Sequence, residues 1–136
     1  MEVMINYIAV LAAAVASFLI GWVWYGMLFQ KQWMKLSGIT MASMKKTGMS
    51  PGKAMSLGFV SQLIVAYVLA HFIDYMMAAT LAAGAQLAFW LWFGFVMPIM
   101  AGIWIWEGKP FMLFVLNAAH WLVALLVMSG ILAVWP

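Results

Sequence analysis

Four long apolar stretches, separated by short polar segments, organise this chain of 136 residues. A helix needs about 20 predominantly apolar residues to cross the hydrocarbon core of a bilayer, and each stretch reaches that length. A water-soluble fold has no means of burying so much apolar surface. The pattern therefore predicts an all-α integral membrane protein, a single domain of residues 1–136, with four helices packed as a small bundle over residues 3–29, 51–77, 81–106 and 110–135.

The segments between these spans carry helix start signals. The pair Ser50-Pro51 supplies a serine cap and a proline suited to the first helical position of the second span. Residues 107–110, Glu-Gly-Lys-Pro, break the apolar pattern and prepare the fourth span. Residues 30–50 are predicted to form a cytoplasmic loop, in which 40–46 form a short helix at the membrane surface.

Composition and charge orient the bundle. The chain is 69% hydrophobic and 7% charged, whereas soluble domains are about half apolar and a quarter charged. Lysines are retained on the cytoplasmic side of a membrane, so both termini are predicted to face outward from the cytoplasmic (inner) membrane. We expect the lysines to contact anionic lipid headgroups rather than nucleic acid. All six lie in the first and third loops or at their edges: Lys31, Lys35, Lys45, Lys46, Lys53 and Lys109.

The apolar stretch at the N-terminus is too long, and lacks the basic flank, for a cleaved signal peptide, so we expect the first span to stay in the mature protein. The absence of cysteine excludes disulfides and thiolate metal sites. Two histidines are too few for a histidine-rich metal centre, and neither a phosphate-binding glycine loop nor a paired-carboxylate site occurs. We therefore expect no enzyme activity, no metal and no cofactor.

Small residues at four-residue spacing predict where the helices approach one another, because they let backbones come close in lipid. Larger side chains at Gly21 or Gly58 are expected to disrupt assembly, and Pro98 is expected to kink the third span. The predicted seams are Ala9, Ala13, Ser17 and Gly21; Ala54, Gly58, Gln62, Ala66 and Ala70; and Gly94, Pro98 and Gly102.

Two short segments recur along the chain. Residues 22–26 (WVWYG) resemble residues 90–94 (WLWFG), and residues 59–62 (FVSQ) resemble residues 114–117 (FVLN). The members of each pair cross the membrane in the same direction, so a true repeat would be a parallel two-plus-two build. The alternative is chance similarity between aromatic-rich apolar segments.

Polar residues inside the spans are costly, and each is a functional candidate. Asn117 and His120 lie three residues apart on one face of the fourth span, and Gln62 lies at a similar depth on the second. These three residues form a predicted inner polar layer, with His120 as its titratable member. The alternative interpretation is a hydrogen-bonded cluster that only fixes helix packing.

A second polar group is predicted towards the outer surface. Tyr67, His71 and Asp74 follow one face of the second span, where Asp74 is expected to pair with His71 and orient its ring. Together with Gln86 and Asn6 they predict an outer vestibule. The alternative is a helix end that simply reaches headgroups and water.

The sequence also resembles a known family. The resemblance lies in residues 21–34 (GWVWYGMLFQKQWM), 106–120 (WEGKPFMLFVLNAAH) and 127–132 (VMSGIL). They are similar to the signatures of a bacterial family of small four-span membrane proteins, domain of unknown function seventeen sixty-one. The resemblance covers nearly the whole chain and implies a four-helix membrane fold, but no particular activity. At His120 the chain departs from the family pattern, which typically has tyrosine.

Two hypotheses for function follow. Four spans fill their own interior, so a water-filled path forms more easily between subunits; this favours a homo-oligomeric carrier or channel for a small solute or ion, lined by Asn117, His120, Gln62, Tyr67 and His71. The alternative is a non-transporting accessory or scaffold subunit that binds anionic lipid or a protein partner through its lysine-rich loop. A lipid-modifying enzyme comes third, because the chain has no nucleophile or metal set.

Overall fold

A computed structural model describes residues 3–135, apart from the side chain of Met41, so both extreme ends of the predicted domain 1–136 lie outside it. Over that range the chain is helical, with no β-strand. Four helices are long and apolar enough to cross a membrane: Tyr7–Leu28, Pro51–Tyr75, Leu81–Ile105 and Phe111–Val134, here called the first to fourth spans. The predicted all-α fold with four spanning helices is confirmed.

Polar caps set the start of three spans. The side chain of Asn6 accepts hydrogen bonds from two amides of the first turn, so the first span begins at Tyr7, later than predicted. Ser50 accepts from the Lys53 amide at 3.2 Å ahead of the second span, and Thr80 caps the third in the same way. Each cap satisfies an amide that the helix itself leaves without a partner.

Two of the four spans change their helical geometry part-way. In the first span α-helix gives way to one π-helical turn, and in the third a π-helical turn is followed by two short α segments. Proline lacks an amide hydrogen and collides with the preceding turn, which accounts for the irregular backbone around Pro98. The bounds are α Tyr7–Val23 and π Trp24–Leu28; α Pro51–Tyr75; α Leu81–Leu91, π Trp92–Val96, α Met97–Met100 and α Gly102–Ile105; and α Phe111–Val134.

The two π-helical turns occupy matching places in the recurring motif. One begins at Trp24 within residues 22–26, and the other begins at Trp92 within residues 90–94. Both turns therefore start at the second tryptophan of their segment. The similarity between the two segments thus extends from sequence to backbone geometry.

The loop between the first two spans contains two helices. Met41–Lys46 is the short helix predicted there, and Thr40 caps it in a reciprocal box with Ser43. Gln30–Ser37 is a further helix in a stretch that was predicted to be loop. It ends at Gly38 with φ of 73°, a left-handed conformation that glycine adopts freely. The loop therefore follows a defined helical path beside the bundle.

The spans pack in the order second, first, fourth, third. The first span packs closely on the second and the fourth, the third packs closely on the fourth, and the second touches the fourth less extensively. The second and third spans do not pack closely on each other. Alanine dominates the core between the four spans. Its most deeply buried members are Ala9, Ala13, Ala14, Ala66, Ala88, Ala124 and Met128.

The predicted seams are partly correct. In the first span Ala9, Ala13 and Ser17 are buried at the contacts with neighbouring helices. A Cβ at Gly58, however, would meet no atom within 4 Å, so the expected close approach at that glycine is wrong. The second span is closely packed only further along, where Ala66 and Ala70 are buried.

The predicted seam of the third span is also misplaced. Gly94 and Pro98 are exposed, and a Cβ at Gly94 would meet nothing within 4 Å. The close approach lies instead at Gly84, where a Cβ would stand 2.9 Å from the Ala133 Cβ and 3.0 Å from the Ser129 carbonyl oxygen. Small residues permit close packing, but their spacing does not select the neighbour that uses it.

Candidate functional site

A buried histidine lies near the middle of the fourth span. His120 is 4% exposed, although histidine is a polar residue inside an apolar helix. Three aromatic rings surround it: the ring centroids of Trp24, Tyr25 and Trp121 lie 6.1, 5.0 and 5.2 Å from the imidazole centroid. The two rings from the first span and the one from the fourth together form an aromatic cage around the imidazole.

The π-helical turn of the first span brings two of these rings to the histidine. It begins at Trp24, whose carbonyl accepts the Phe29 amide at 2.9 Å, and it includes Tyr25. One turn earlier, Gly21 lies so close that a Cβ added there would be 3.4 Å from His120 Nε2. π-helical turns are rare and are frequent at functional sites. A bulky side chain at Gly21 would displace the imidazole.

Polar groups in this cage are unevenly satisfied. The Tyr25 hydroxyl donates a hydrogen bond of 2.7 Å to Asn117 Oδ1. Within the described part of the chain neither ring nitrogen of His120, nor the indole Nε1 of Trp24, has a hydrogen-bond partner, and all three atoms are buried. An unpaired polar group in an apolar interior costs free energy, so these three nitrogen atoms destabilise the folded state.

The predicted inner layer is divided between separate contacts. Gln62 does not bond to Asn117 or His120; its side-chain oxygen accepts a hydrogen bond from the Ser17 hydroxyl on the first span. Asn117 is engaged by Tyr25. The side-chain amides of Gln62 and Asn117 thus form interhelical hydrogen bonds of the kind that fix packing. His120 has no such bond within the described residues.

The predicted outer vestibule also separates into parts. His71 Nδ1 lies 2.9 Å from the Tyr67 carbonyl oxygen, which only accepts, so Nδ1 carries the proton. The expected pairing of Asp74 with His71 is therefore not the contact that orients this ring. Asp74 instead lines a cavity of about 200 Å³ together with Asn6. Gln86 is exposed and does not line it.

The lysines predicted to meet headgroups lie on the surface of the structure. Five of them belong to the two loop helices and to the first turn of the second span. The sixth, Lys109, also links the two loops, because its ammonium donates a hydrogen bond of 3.4 Å to the Ser37 carbonyl. The five in the first loop and at its edges are Lys31, Lys35, Lys45, Lys46 and Lys53.

Comparison with known families adds one finding. The family described as Protein of unknown function (DUF1761) matches residues 8–133. The chain belongs to the DUF1761 family. That match covers the four spans of this DUF1761 chain. Because these helices are long and apolar enough to cross a membrane, the chain is a small membrane protein. No curated protein and no solved structure matches the chain.

Several residues of the cage in this DUF1761 chain were not predicted as site residues. Trp24 and Tyr25 appeared as part of the recurring aromatic motif and Gly21 as a packing residue, and all three lie in the segment 21–34 that carries the family resemblance. Their place beside His120 depends on the register between the first and fourth spans, which neither helix encodes alone. Among residues 3–135, no group of three or more histidine and acidic side chains is placed to hold a metal ion.

Proposed function

We propose that this DUF1761 chain is a small membrane carrier or channel that works as a homo-oligomer and binds its solute or ion at His120. The observation that supports this is the imidazole itself, buried mid-span with neither nitrogen paired in the described residues. Ionisable groups inside a membrane are costly and mark substrate or proton routes. The buried imidazole therefore suits a partner that arrives and leaves during transport.

The packing supports a path at the surface of the bundle or between copies rather than through its centre. Ala13, Ala66, Ala124 and Met128 are completely inaccessible where the helices meet. Such a core is dry and leaves no lumen along the axis of these contacts. A second copy beside the first would supply the other wall of a path that passes the cage.

Reconstitution into liposomes tests the proposal. We expect flux above that of protein-free vesicles for at least one member of a panel of protons, small ions and small neutral solutes. His120→Leu should abolish this flux, and Asn117→Ala should reduce it because Tyr25 would lose its acceptor. Gly58→Ala is the matched control, since a methyl group there meets no atom within 4 Å.

The expected result is a loss of at least tenfold in the His120 variant at unchanged protein incorporation. Background flux across the panel, or flux that survives both His120→Leu and Asn117→Ala, contradicts the proposal. The oligomer is tested separately by counting subunits in nanodiscs. A monomer that carries full flux contradicts the homo-oligomer.

The second candidate is a non-transporting accessory or scaffold subunit. It is favoured by the exposed lysines on and around the short helix Met41–Lys46. Each lysine near an anionic surface contributes about 1 kcal/mol, so Lys45→Gln and Lys46→Gln should each weaken binding to phosphatidylserine vesicles roughly fivefold at low salt. Thr47→Ala is the control. Unchanged vesicle binding in the double variant contradicts this candidate.

A further inference from the structure

Trp24 belongs to two different surroundings. Its indole meets the imidazole of His120 edge-on, with ring centroids 6.1 Å apart. Trp24 also lines a groove of about 370 Å³ between the first and fourth spans. The other groove residues are aliphatic: Leu19, Ile20, Val23, Leu28 and Val123. Trp24 is therefore common to the groove and to the aromatic cage around the imidazole.

This groove faces the lipid. Leu19, Leu28 and Val123 are exposed on helices that are long and apolar enough to cross the membrane. Its volume falls within the range of small-molecule binding sites. A molecule that approaches Trp24 by this route is therefore dissolved in the bilayer, with an apolar body.

The polar groups behind the groove define the head of such a molecule. The Trp24 indole only donates, and a neutral imidazole has one N–H and one lone pair. The Tyr25 hydroxyl is already engaged by Asn117. An oxygen that accepts from Trp24 and also bonds to His120 would satisfy groups that the described part of the chain leaves unpaired.

The charge of the surroundings restricts this head further. The residues placed against the imidazole include Gly21, Trp24, Tyr25 and Trp121, none of which carries a charge at neutral pH. A charged head would thus be desolvated without a counter-ion, which is strongly unfavourable. A neutral carbonyl or hydroxyl oxygen meets both requirements.

We propose that the Trp24–His120 site binds a membrane-dissolved molecule with a neutral carbonyl or hydroxyl head and an aliphatic body, which enters sideways from the bilayer. The body lies in the groove, and the head reaches His120 when the indole of Trp24 turns aside. The inference rests on the proposed function, which makes His120 the binding centre, and it names the substrate class of that site.

The chain suits a direct test because it has two histidines. Full-length protein with isotope-labelled histidine is placed in lipid nanodiscs, and the ring-nitrogen NMR signals of His71 and His120 are assigned from the His71→Gln variant. The probes share one carbon number: methyl nonyl ketone, undecyl alcohol and undecane. We expect saturable shifts of the His120 signals with the ketone or the alcohol, none with undecane, and none at His71.

Variants test the route and the donor. Trp24→Phe keeps an aromatic ring but removes the N–H, and it should weaken binding roughly threefold to tenfold, as the loss of one hydrogen bond implies. Val123→Trp fills the lipid-facing groove and should abolish the shifts. Val115→Trp is its matched control, because Val115 is an equally exposed valine of the same helix outside the groove.

Each negative outcome has a defined meaning. His120 signals that neither polar probe moves, that undecane moves equally, or that still shift in Val123→Trp overturn the inference. If liposome flux depends on His120 while the NMR signals stay still, the carrier stands and this substrate class falls. If the signals shift but no flux is measured, the site stands and the transport function falls.

Discussion

The first and third spans contain the same motif with the same π-helical turn, yet the two copies have different surroundings. The turn of the third span presents Trp92, whose indole N–H donates a hydrogen bond of 2.8 Å to the Ala118 carbonyl on the fourth span. The turn of the first span presents Trp24, whose equivalent N–H is buried with no partner in the described residues. The Trp92 indole thus joins two helices, whereas the Trp24 indole is left without a partner beside a histidine.

The fourth span serves both turns from neighbouring positions. Asn117 accepts from Tyr25 of the first span, while the Ala118 carbonyl accepts from Trp92 of the third. His120 follows on the same helix, and its ring contacts Trp24 and Tyr25 of the first-span turn. Similar local structure therefore gives two different results, because the fourth span offers a backbone carbonyl to Trp92 and an unpaired imidazole to Trp24.

The largest expected effect is a loss of stability where the third span packs on the fourth. Gly84→Ala would place a methyl group 2.9 Å from the Ala133 Cβ and 3.0 Å from the Ser129 carbonyl oxygen, on the helix pair that holds the third-span turn. Overpacking of this kind should lower the free energy of unfolding by about 2–3 kcal/mol. Unfolding in mixed micelles measures this change. Gly94→Ala, in open space, is the control. Equal stability of the two variants would show that the seam is not tight.

The next effect is a gain in stability, and it concerns His120 beside the first-span turn. His120→Leu replaces a buried imidazole by an apolar side chain of similar volume, so no ring nitrogen is left unpaired. We expect the free energy of unfolding to rise by about 1–2 kcal/mol while liposome flux is lost. A fall in stability of similar size would mean that the imidazole makes a stabilising contact, and the distinction between the two copies would fail.

A matched pair of variants compares the two tryptophans directly. Trp92→Phe and Trp24→Phe delete the same atoms, so the difference between them reports mainly on the indole N–H. We expect Trp92→Phe to be the more destabilising by about 1 kcal/mol, because it alone breaks an interhelical hydrogen bond. Thermal or denaturant unfolding under identical detergent conditions measures this difference. Equal losses would show that Trp24 also has a partner.

The sequence predicted the elements better than their pairing. Apolar length located the four spans, and Ser50 marked the start of the second, because both signals are local. Gln30–Ser37 was missed because its polar, lysine-containing surface resembles a loop in a chain otherwise defined by apolar length. Local chemistry therefore determined most of the secondary structure.

The candidate site was only partly predictable. Asn117 and His120 stood out as polar residues in an apolar helix, which is a property of one segment. Their partners Tyr25 and Trp24 lie on a helix roughly ninety residues earlier, and the π-helical turn shifts the register that brings them together. Gln62 lies at a suitable depth but bonds to Ser17 instead, since depth alone does not fix which helix a side chain faces.

The smallest expected effect tests how strongly one hydrogen bond holds the first-span turn to the fourth span. The Tyr25 hydroxyl and Asn117 Oδ1 are joined at 2.7 Å, and hydrogen bonds between membrane helices contribute about 0.6 kcal/mol on average. A double-mutant cycle of Tyr25→Phe and Asn117→Ala should return a coupling energy of that size, because each single variant already removes the bond. Coupling near zero would mean that the cage is held by aromatic packing alone. Coupling several times larger would place Tyr25 in a tighter network with His120, and the first-span turn would then resemble the third-span turn in fastening two helices.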